Sequence, residues 1–109
     1  MVDQRVSTMI RRITVHSSNP PTIECEASES AWYIRFKSAR VAKTLHQDKP
    51  GVVVTIDLDS KGDVVGVELL GVREFSIQLL MRIAKIDAPK IDFTRARFVR
   101  ASDRELVES

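Results

Sequence analysis

The chain is poor in the residues that build disulfide frameworks and metal sites. Its 109 residues include one cysteine, Cys25, and two histidines, His16 and His46. A lone cysteine cannot form a disulfide within the chain, and a cysteine-rich zinc site is excluded. The two histidines have neither a helical H-x-x-x-H spacing nor a cysteine partner, so the sequence predicts no metal site and no other cofactor.

Long apolar runs and nucleophile motifs are also missing. No apolar stretch approaches the roughly 20 residues that span a bilayer, and polar residues follow Met1 where a secretory signal would be apolar. There is no glycine-rich phosphate loop and no G-x-S-x-G motif. Cys25 falls beside Ile23 on the apolar side of a predicted strand, where a cysteine packs as a small hydrophobe. We therefore expect a cytoplasmic protein that is not membrane-bound, has no catalytic residues and is not an enzyme.

The charges nearly cancel. Lys and Arg number 17 against 15 Asp and Glu, and the net charge of +2 is too small to indicate nucleic-acid binding by itself. The 43% of hydrophobic and 29% of charged residues are typical of a globular protein, and the length fits a single domain over residues 1–109.

Apolar and polar residues alternate from Thr22 to Leu70. Alternation among β-branched and aromatic residues predicts half-buried antiparallel strands. The connectors "KSA", "QDKPG" and "DSKG" are short, and short connectors join neighbouring strands. We therefore predict an antiparallel β-meander of four to five strands, with a β core over residues 23–72.

A single helix is predicted to cover the apolar face of this sheet. Ser76 can cap a helix over residues 77–86, which has a broad apolar face and ends before Pro89. The predicted fold class is therefore α+β, with one C-terminal helix.

Two appendages flank this core, an N-terminal segment 1–16 and a C-terminal tail 90–109. The spacing of Val6, Met9, Ile10 and Ile13 favours a helix, with a strand over residues 13–15 as the alternative. In the tail, Phe93 and Phe98 are expected to be anchored and the last residues to be frayed.

The stretch "DLDSKGDVVGVE", residues 57–68, nearly matches the calcium-loop pattern D-x-[DN]-x-[DN]-G-x5-E. Lys61 stands where a fifth-position ligand belongs, and strands rather than helices flank the loop. We therefore favour a hairpin with a loop over residues 59–62, in which Gly62 adopts a left-handed conformation. A weak surface ion at Asp57, Asp59 and Asp63 is the alternative.

The predicted hairpin register pairs apolar residues on one face. Opposite residues would be Ile56 and Val65, Val54 and Val67, and Val52 and Leu69. Asp57 would then face Val64 and lie about 13 Å from Glu68, at about 3.4 Å per residue. The two carboxylates could not share an ion at that distance.

The segments "AWYIRF" and "GVVVTIDLDSKGDVVGVELLG" resemble the bacterial family called domain of unknown function 2283. The family pattern has a tyrosine-containing strand followed by an acidic hairpin with glycines at the positions of Gly62 and Gly66 and a glutamate at that of Glu68. Ile56 and Trp32 depart from it, where valine and leucine are the common forms. The resemblance covers residues 23–72 and implies a small β-sheet protein with no assigned activity, cofactor or catalytic residue. It also implies an antitoxin-like role, since such proteins accompany small toxin-like proteins.

The predicted polar face of the sheet offers one candidate ligand site. Tyr33, Arg35, Asp57 and Glu68 fall on this face and could form a shallow site for a small polar ligand. Cross-strand ion pairs on a wet surface are the alternative interpretation of the same residues.

Arginines near both ends offer a candidate nucleic-acid site. Its residues are Arg11, Arg12, Arg95, Arg97 and Arg100, with Phe93 and Phe98 placed to stack on bases. The alternative is a set of solvated faces, because acidic residues are interleaved with these arginines.

Surplus apolar surface favours a protein partner, most simply a second copy. The predicted helix is apolar around much of its circumference, and Val53 and Val64 fall on the nominally polar face. We predict a non-enzymatic interaction module that forms a homodimer through Ile77, Leu80, Met81 and Ala84.

Overall fold

The computed structural model describes residues 12–26, 30–47 and 50–100. The strands are β1 (Ile13–Thr14), β2 (Thr22–Glu26), β3 (Ala31–Arg35), β4 (Lys43–His46), β5 (Val53–Leu58), β6 (Val64–Leu70), β7 (Ile86–Asp87) and β8 (Arg97–Arg100). The helix α1 spans Ile77–Ala84, and a short 3-10 helix spans Phe93–Arg95. The predicted α+β class is confirmed in this coarse form, as a β-rich fold with one α-helix among the described residues.

The main sheet has six strands in the order β4-β5-β6-β3-β2-β8. The predicted meander is wrong between β3 and β4, because β3 pairs with β6 and the chain then crosses two strands to reach β4. Crossing three inter-strand spacings requires about 14 Å, and the connection over residues 36–42 can extend to about 24 Å. The result is a Greek-key arrangement, in which β3 lies beside the last strand of the β4-β5-β6 meander.

The sheet is also mixed rather than purely antiparallel. Strand β8 runs parallel to β2, with Thr22 opposite Arg97 and Ile23 opposite Phe98. Residues of the predicted C-terminal appendage therefore form the sixth strand of the main sheet. Parallel neighbours need a long connection, and here it includes every element between β2 and β8.

The β5–β6 hairpin forms as predicted, but its register differs by two residues. Ile56 lies opposite Val67 and Val54 opposite Leu69. One residue of the difference comes from the turn, where the N–H of Gly62 bonds to the Asp59 carbonyl and Gly62 has a φ of 85°. The other comes from an irregularity between Asp57 and Leu58, where β6 contains one extra residue.

The bulge on β6 also changes which valines are buried. The Val65 carbonyl accepts hydrogen bonds from the N–H groups of Phe36 and Lys37, at 2.7 and 3.3 Å, and so turns towards the end of β3. Val64, expected on the polar face, is 1% exposed and belongs to the core. Val53 is 40% exposed, as its position on that face predicts.

Helix α1 covers the apolar face of the main sheet. The Ser76 Oγ accepts the N–H of Leu79 at 3.1 Å, which confirms the predicted N-cap. The helix ends at Ala84 rather than at residue 86, because Lys85 is left-handed with a φ of 58°. Ile86 is instead fully buried in β7. Pro89 is therefore not the residue that ends the helix.

The described part of the N-terminal segment forms a two-stranded parallel sheet. Ile13 pairs with Ile86 and Thr14 with Asp87. The strand alternative is thus correct for residues 13–14, whereas the helix proposed from Val6 falls largely outside the described residues. Within the described ranges, no helix is both long and apolar enough to cross a bilayer.

The two phenylalanines near the C-terminus behave differently. Phe93 packs edge-on against Phe36, with ring centroids 6.4 Å apart, so its predicted anchoring is confirmed. Phe98 is 66% exposed, so its predicted anchoring is wrong. The difference arises because β8 is the outermost strand of the sheet and no other described strand pairs with its outer side.

Candidate functional site

Tyr33 crosses the polar face of the main sheet to reach a strand that is not its neighbour. Its hydroxyl donates to Asp57 Oδ2 at 2.9 Å, although β6 lies between β3 and β5. The ring lies over Gly66, where a Cβ atom would overlap with the tyrosine hydroxyl and Cζ. Glycine at this position is therefore what allows the ring to lie flat on β6.

The environment of Tyr33 keeps its hydroxyl protonated. Burial raises the pKa of the phenol well above its ordinary value, and the hydrogen bond to Asp57 and the charge of that carboxylate raise it further. The Thr44 hydroxyl donates to the second oxygen of the same carboxylate at 2.7 Å. Both oxygens of Asp57 thus accept hydrogen bonds from within the sheet.

Arg35 and Glu68 also bond within this face. The Arg35 Nη2 lies 3.6 Å from Glu24 Oε2, and the guanidinium lies 5.1 Å from the centre of the Tyr33 ring. The Thr55 hydroxyl donates to Glu68 Oε1 at 3.4 Å. The structure therefore places all four predicted ligand residues on one face, each bonded to a neighbour on that face.

A shallow depression of about 230 Å³ lies beside this network. Tyr33 and Glu68 line it, whereas Arg35 and Asp57 do not. Its other lining residues are Glu24, Glu26, Ala31, Trp32 and Leu70. The sequence did not single out Ala31 or Leu70 as site residues. Leu70 was predictable, because the alternation in β6 places it on the same polar face as Gly66 and Glu68.

The acidic hairpin loop is closed by its own backbone and by one lysine. Asp59 Oδ1 accepts the N–H groups of Lys61 and Asp63, both at 2.9 Å, and Asp59 Oδ2 contacts the Lys37 ammonium. The hydrogen bond from Lys37, followed by those from the backbone, lowers the pKa of Asp59 from 3.8 to about 2. The same bond to Asp59 raises the pKa of Lys37.

The loop residues do not converge on an ion site in the part of the chain that the structure describes. No group of three or more His, Cys, Asp or Glu side chains there could hold a metal ion. Asp57 faces Gly66 rather than Val64, so the predicted pairing of Asp57 is wrong, for the reason given by the hairpin register.

The predicted nucleic-acid residues separate into two places. Arg12 pairs with Asp87 at 3.1 Å beside the small β1–β7 sheet, and Arg11 lies outside the described residues. Arg95 lies on the 3-10 helix, and Arg97 and Arg100 lie on β8, on opposite faces of the sheet.

The four predicted interface residues all pack in or against the hydrophobic core. Leu80 and Ala84 are fully buried within the chain, so their side chains are not at its surface. Ile77 and Met81 are half-buried against the same core. The reason is that α1 packs against β5 of the main sheet and against β7.

Cys25 is a free, half-buried cysteine opposite Trp32. The Trp32 ring stacks on Phe75 at 5.0 Å and its indole N–H donates to the Val72 carbonyl at 2.8 Å. This end of β3 is therefore held by aromatic packing.

Comparison with known proteins gives one family match. Residues 30–73 match the family described as "Protein of unknown function (DUF2283)", which confirms the resemblance predicted from the sequence. The matched segment includes Tyr33, Asp57, Gly66 and Glu68. No curated protein and no solved structure matches the chain.

Proposed function

We propose that the chain is a non-enzymatic protein-interaction module. The observation that carries this proposal is Phe98, a large apolar side chain that is 66% exposed on β8, the outermost described strand of the main sheet. Exposing such a side chain to water is unfavourable, and a protein partner would bury it.

The polar face supports the same proposal, because its groups are bonded to each other. Tyr33 and Thr44 each donate a hydrogen bond to one oxygen of Asp57, and Arg35 forms an ion pair with Glu24. A protonated phenol hydrogen-bonded to a carboxylate is a stabilising cross-strand pair. On this proposal these residues hold the sheet together and do not act on a substrate.

A homodimer is one form that the module could take. The exposed apolar residues Phe98 and Val53 now supply the surplus surface that the helix was expected to provide. In an antitoxin-like role, as the family resemblance implies, the partner would instead be a small toxin in the cytoplasm.

A small-ligand protein is a second candidate, favoured by the depression beside Tyr33. Three acidic residues, Glu24, Glu26 and Glu68, line this depression together with the apolar residues Ala31 and Leu70. If this depression binds a ligand, that ligand should raise the melting temperature of the wild type and not that of a Glu68→Gln variant.

Native mass spectrometry of the full chain purified from its own host tests these candidates together. A complex with a second polypeptide, or with a second copy, is the expected result. A small added mass would favour the ligand candidate. A bare monomer at all concentrations, with no bound protein, would overturn the proposal.

A further inference from the structure

Strand β8 leaves one edge of the main sheet open among the described residues. The Arg97 N–H donates to the Pro21 carbonyl at 3.0 Å, so the backbone groups of Arg97 face β2. Successive residues of a strand direct their backbone groups to opposite edges, so the N–H and C=O of Phe98 face outward. An open edge of this kind is a template for an added strand.

The side chain of Phe98 extends the apolar face of the sheet. Phe98 is opposite Ile23 in the β2–β8 register, so both side chains lie on the same face. Ile23 is fully buried, whereas Phe98 is 66% exposed. The apolar face of the sheet therefore extends to β8, one strand beyond the buried residue Ile23 on β2. A strand added to β8 would place a side chain directly opposite Phe98, and an apolar one would shield the ring.

The charge that β8 presents on the polar face of the sheet is positive. Strand β8 has the sequence RFVR, so it has no acidic residue. Arg97 is opposite Thr22, so it lies on the polar face of the sheet. A second copy paired antiparallel about Phe98 would place Val99 opposite Arg97 and leave the charge of Arg97 without a partner across the strands, whereas an acidic residue opposite Arg97 would compensate it. Charge complementarity favours an acidic strand instead.

We propose that the outer edge of β8 binds an extended acidic segment of another protein as an added β-strand. Apolar and acidic residues alternate in this segment, with an apolar residue opposite Phe98 and an acidic residue opposite Arg97. Backbone hydrogen bonds to Phe98 supply affinity, and the two faces of the strand supply selectivity. The proposal rests on the proposed function, since it names the surface and the partner chemistry of the interaction module.

Fluorescence anisotropy with two labelled peptides tests the charge and the strand pairing. One peptide alternates Glu and Val, the other alternates Lys and Val, and each is titrated with the full chain. We expect the wild type to prefer the acidic peptide, and Arg97→Glu to weaken that peptide's binding about three- to tenfold and to favour the basic one. Arg40→Glu, which makes the same charge change on the β3–β4 connection, should leave the preference unchanged.

Two further variants separate strand addition from simple charge attraction. Phe98→Ala should weaken binding of the acidic peptide while the fold is retained, because the ring is mostly exposed. N-methylation of the alternate amides that face β8 should abolish binding of the acidic peptide, since it removes the donors to β8 and keeps the charges, whereas N-methylation of the other alternate set should leave binding nearly unchanged. Equal affinities of both methylated peptides and the unmodified peptide would overturn the proposal.

Other outcomes identify a different occupant and also overturn the proposal. Sedimentation at twice the chain mass, lost in Phe98→Asp, would assign the edge to a second copy. Steeply salt-dependent binding of an oligonucleotide, lost in Arg97→Glu, together with no peptide binding, would assign it to nucleic acid. Failure to bind any of these probes would mean that the arginines keep the edge unpaired. A protein partner that co-purifies equally with Phe98→Asp and Arg97→Glu would leave the proposed function standing and remove only the β8 site.

Discussion

The hydroxyl of Tyr33 donates a hydrogen bond to Asp57 Oδ2 at 2.9 Å across an intervening strand. Side chains of adjacent strands meet routinely, but a side chain on β3 reaches β5 here only because Gly66 on β6 leaves room for the ring. Three strands are thereby joined on the polar face by one side chain, and Thr44 extends the chain of bonds to β4.

Removing the hydroxyl alone should weaken the sheet. Tyr33→Phe keeps the ring over Gly66 and leaves one oxygen of Asp57 without its donor. We expect a loss of about 1 kcal/mol in the free energy of unfolding, the usual size for such a bond. Urea denaturation measures it. Thr44→Val removes the more exposed partner of Asp57 and should lower the free energy of unfolding by a smaller amount. An equal or larger loss would show that Tyr33 is not the more important partner of Asp57.

Filling the space at Gly66 should cost more. Gly66→Ala drives a methyl group into the Tyr33 ring, so we expect a loss of about 1–3 kcal/mol. In a Tyr33→Ala background the same substitution should cost much less, because the ring is gone. Additive effects of the two changes in a double-mutant cycle would show that Gly66 has another role.

The ion pair at the hairpin should make stability depend on acid pH. The pKa of Asp59 is lowered from 3.8 to about 2 in the folded chain, so its charge stabilises the fold above pH 3.8. That contribution is lost as the pH falls through about 2. Asp59→Asn keeps an oxygen for the N–H groups of Lys61 and Asp63 and removes the charge.

Urea midpoints of the wild type and of Asp59→Asn across acid pH check this expectation. The difference between the two proteins should be constant near neutral pH and should shrink between pH 3.8 and about 2. A difference that is independent of pH would show that the Lys37–Asp59 pair contributes nothing to stability.

A glycine should stabilise the end of the helix. Lys85 adopts a left-handed conformation with a φ of 58°, which is strained for a side-chain-bearing residue. Lys85→Gly should therefore raise the free energy of unfolding by about 0.5–1 kcal/mol. Lys85→Ala is the matched control, because it removes the same side chain and keeps the strain. Thermal unfolding of both variants measures the two changes in stability. An equal increase for Lys85→Ala would show that loss of the charge, and not relief of backbone strain, stabilises the protein.

Part of the site was predictable because alternation assigns faces without reference to strand order. Tyr33, Arg35, Asp57 and Glu68 share a face, as the period of two requires. Their bonds were not predictable, because the Tyr33–Asp57 contact depends on β6 lying between β3 and β5. One residue of the two-residue difference in the hairpin register comes from a bulge at Val64–Val65, which the pattern of four adjacent apolar or small residues does not reveal.

The sequence by itself determined the faces of the strands, the N-cap at Ser76, the hairpin closed by Gly62 and the family resemblance, which the motifs place at residues 23–72 and which is matched over residues 30–73. These features depend on local spacing and local conformation. Only the tertiary structure decided that β3 pairs with β6, that Ile86 leaves the helix for β7, and that β8 joins the sheet parallel to β2. Those outcomes depend on which distant segments compete to cover the same apolar surface, and residue spacing along one segment carries no information about its competitors.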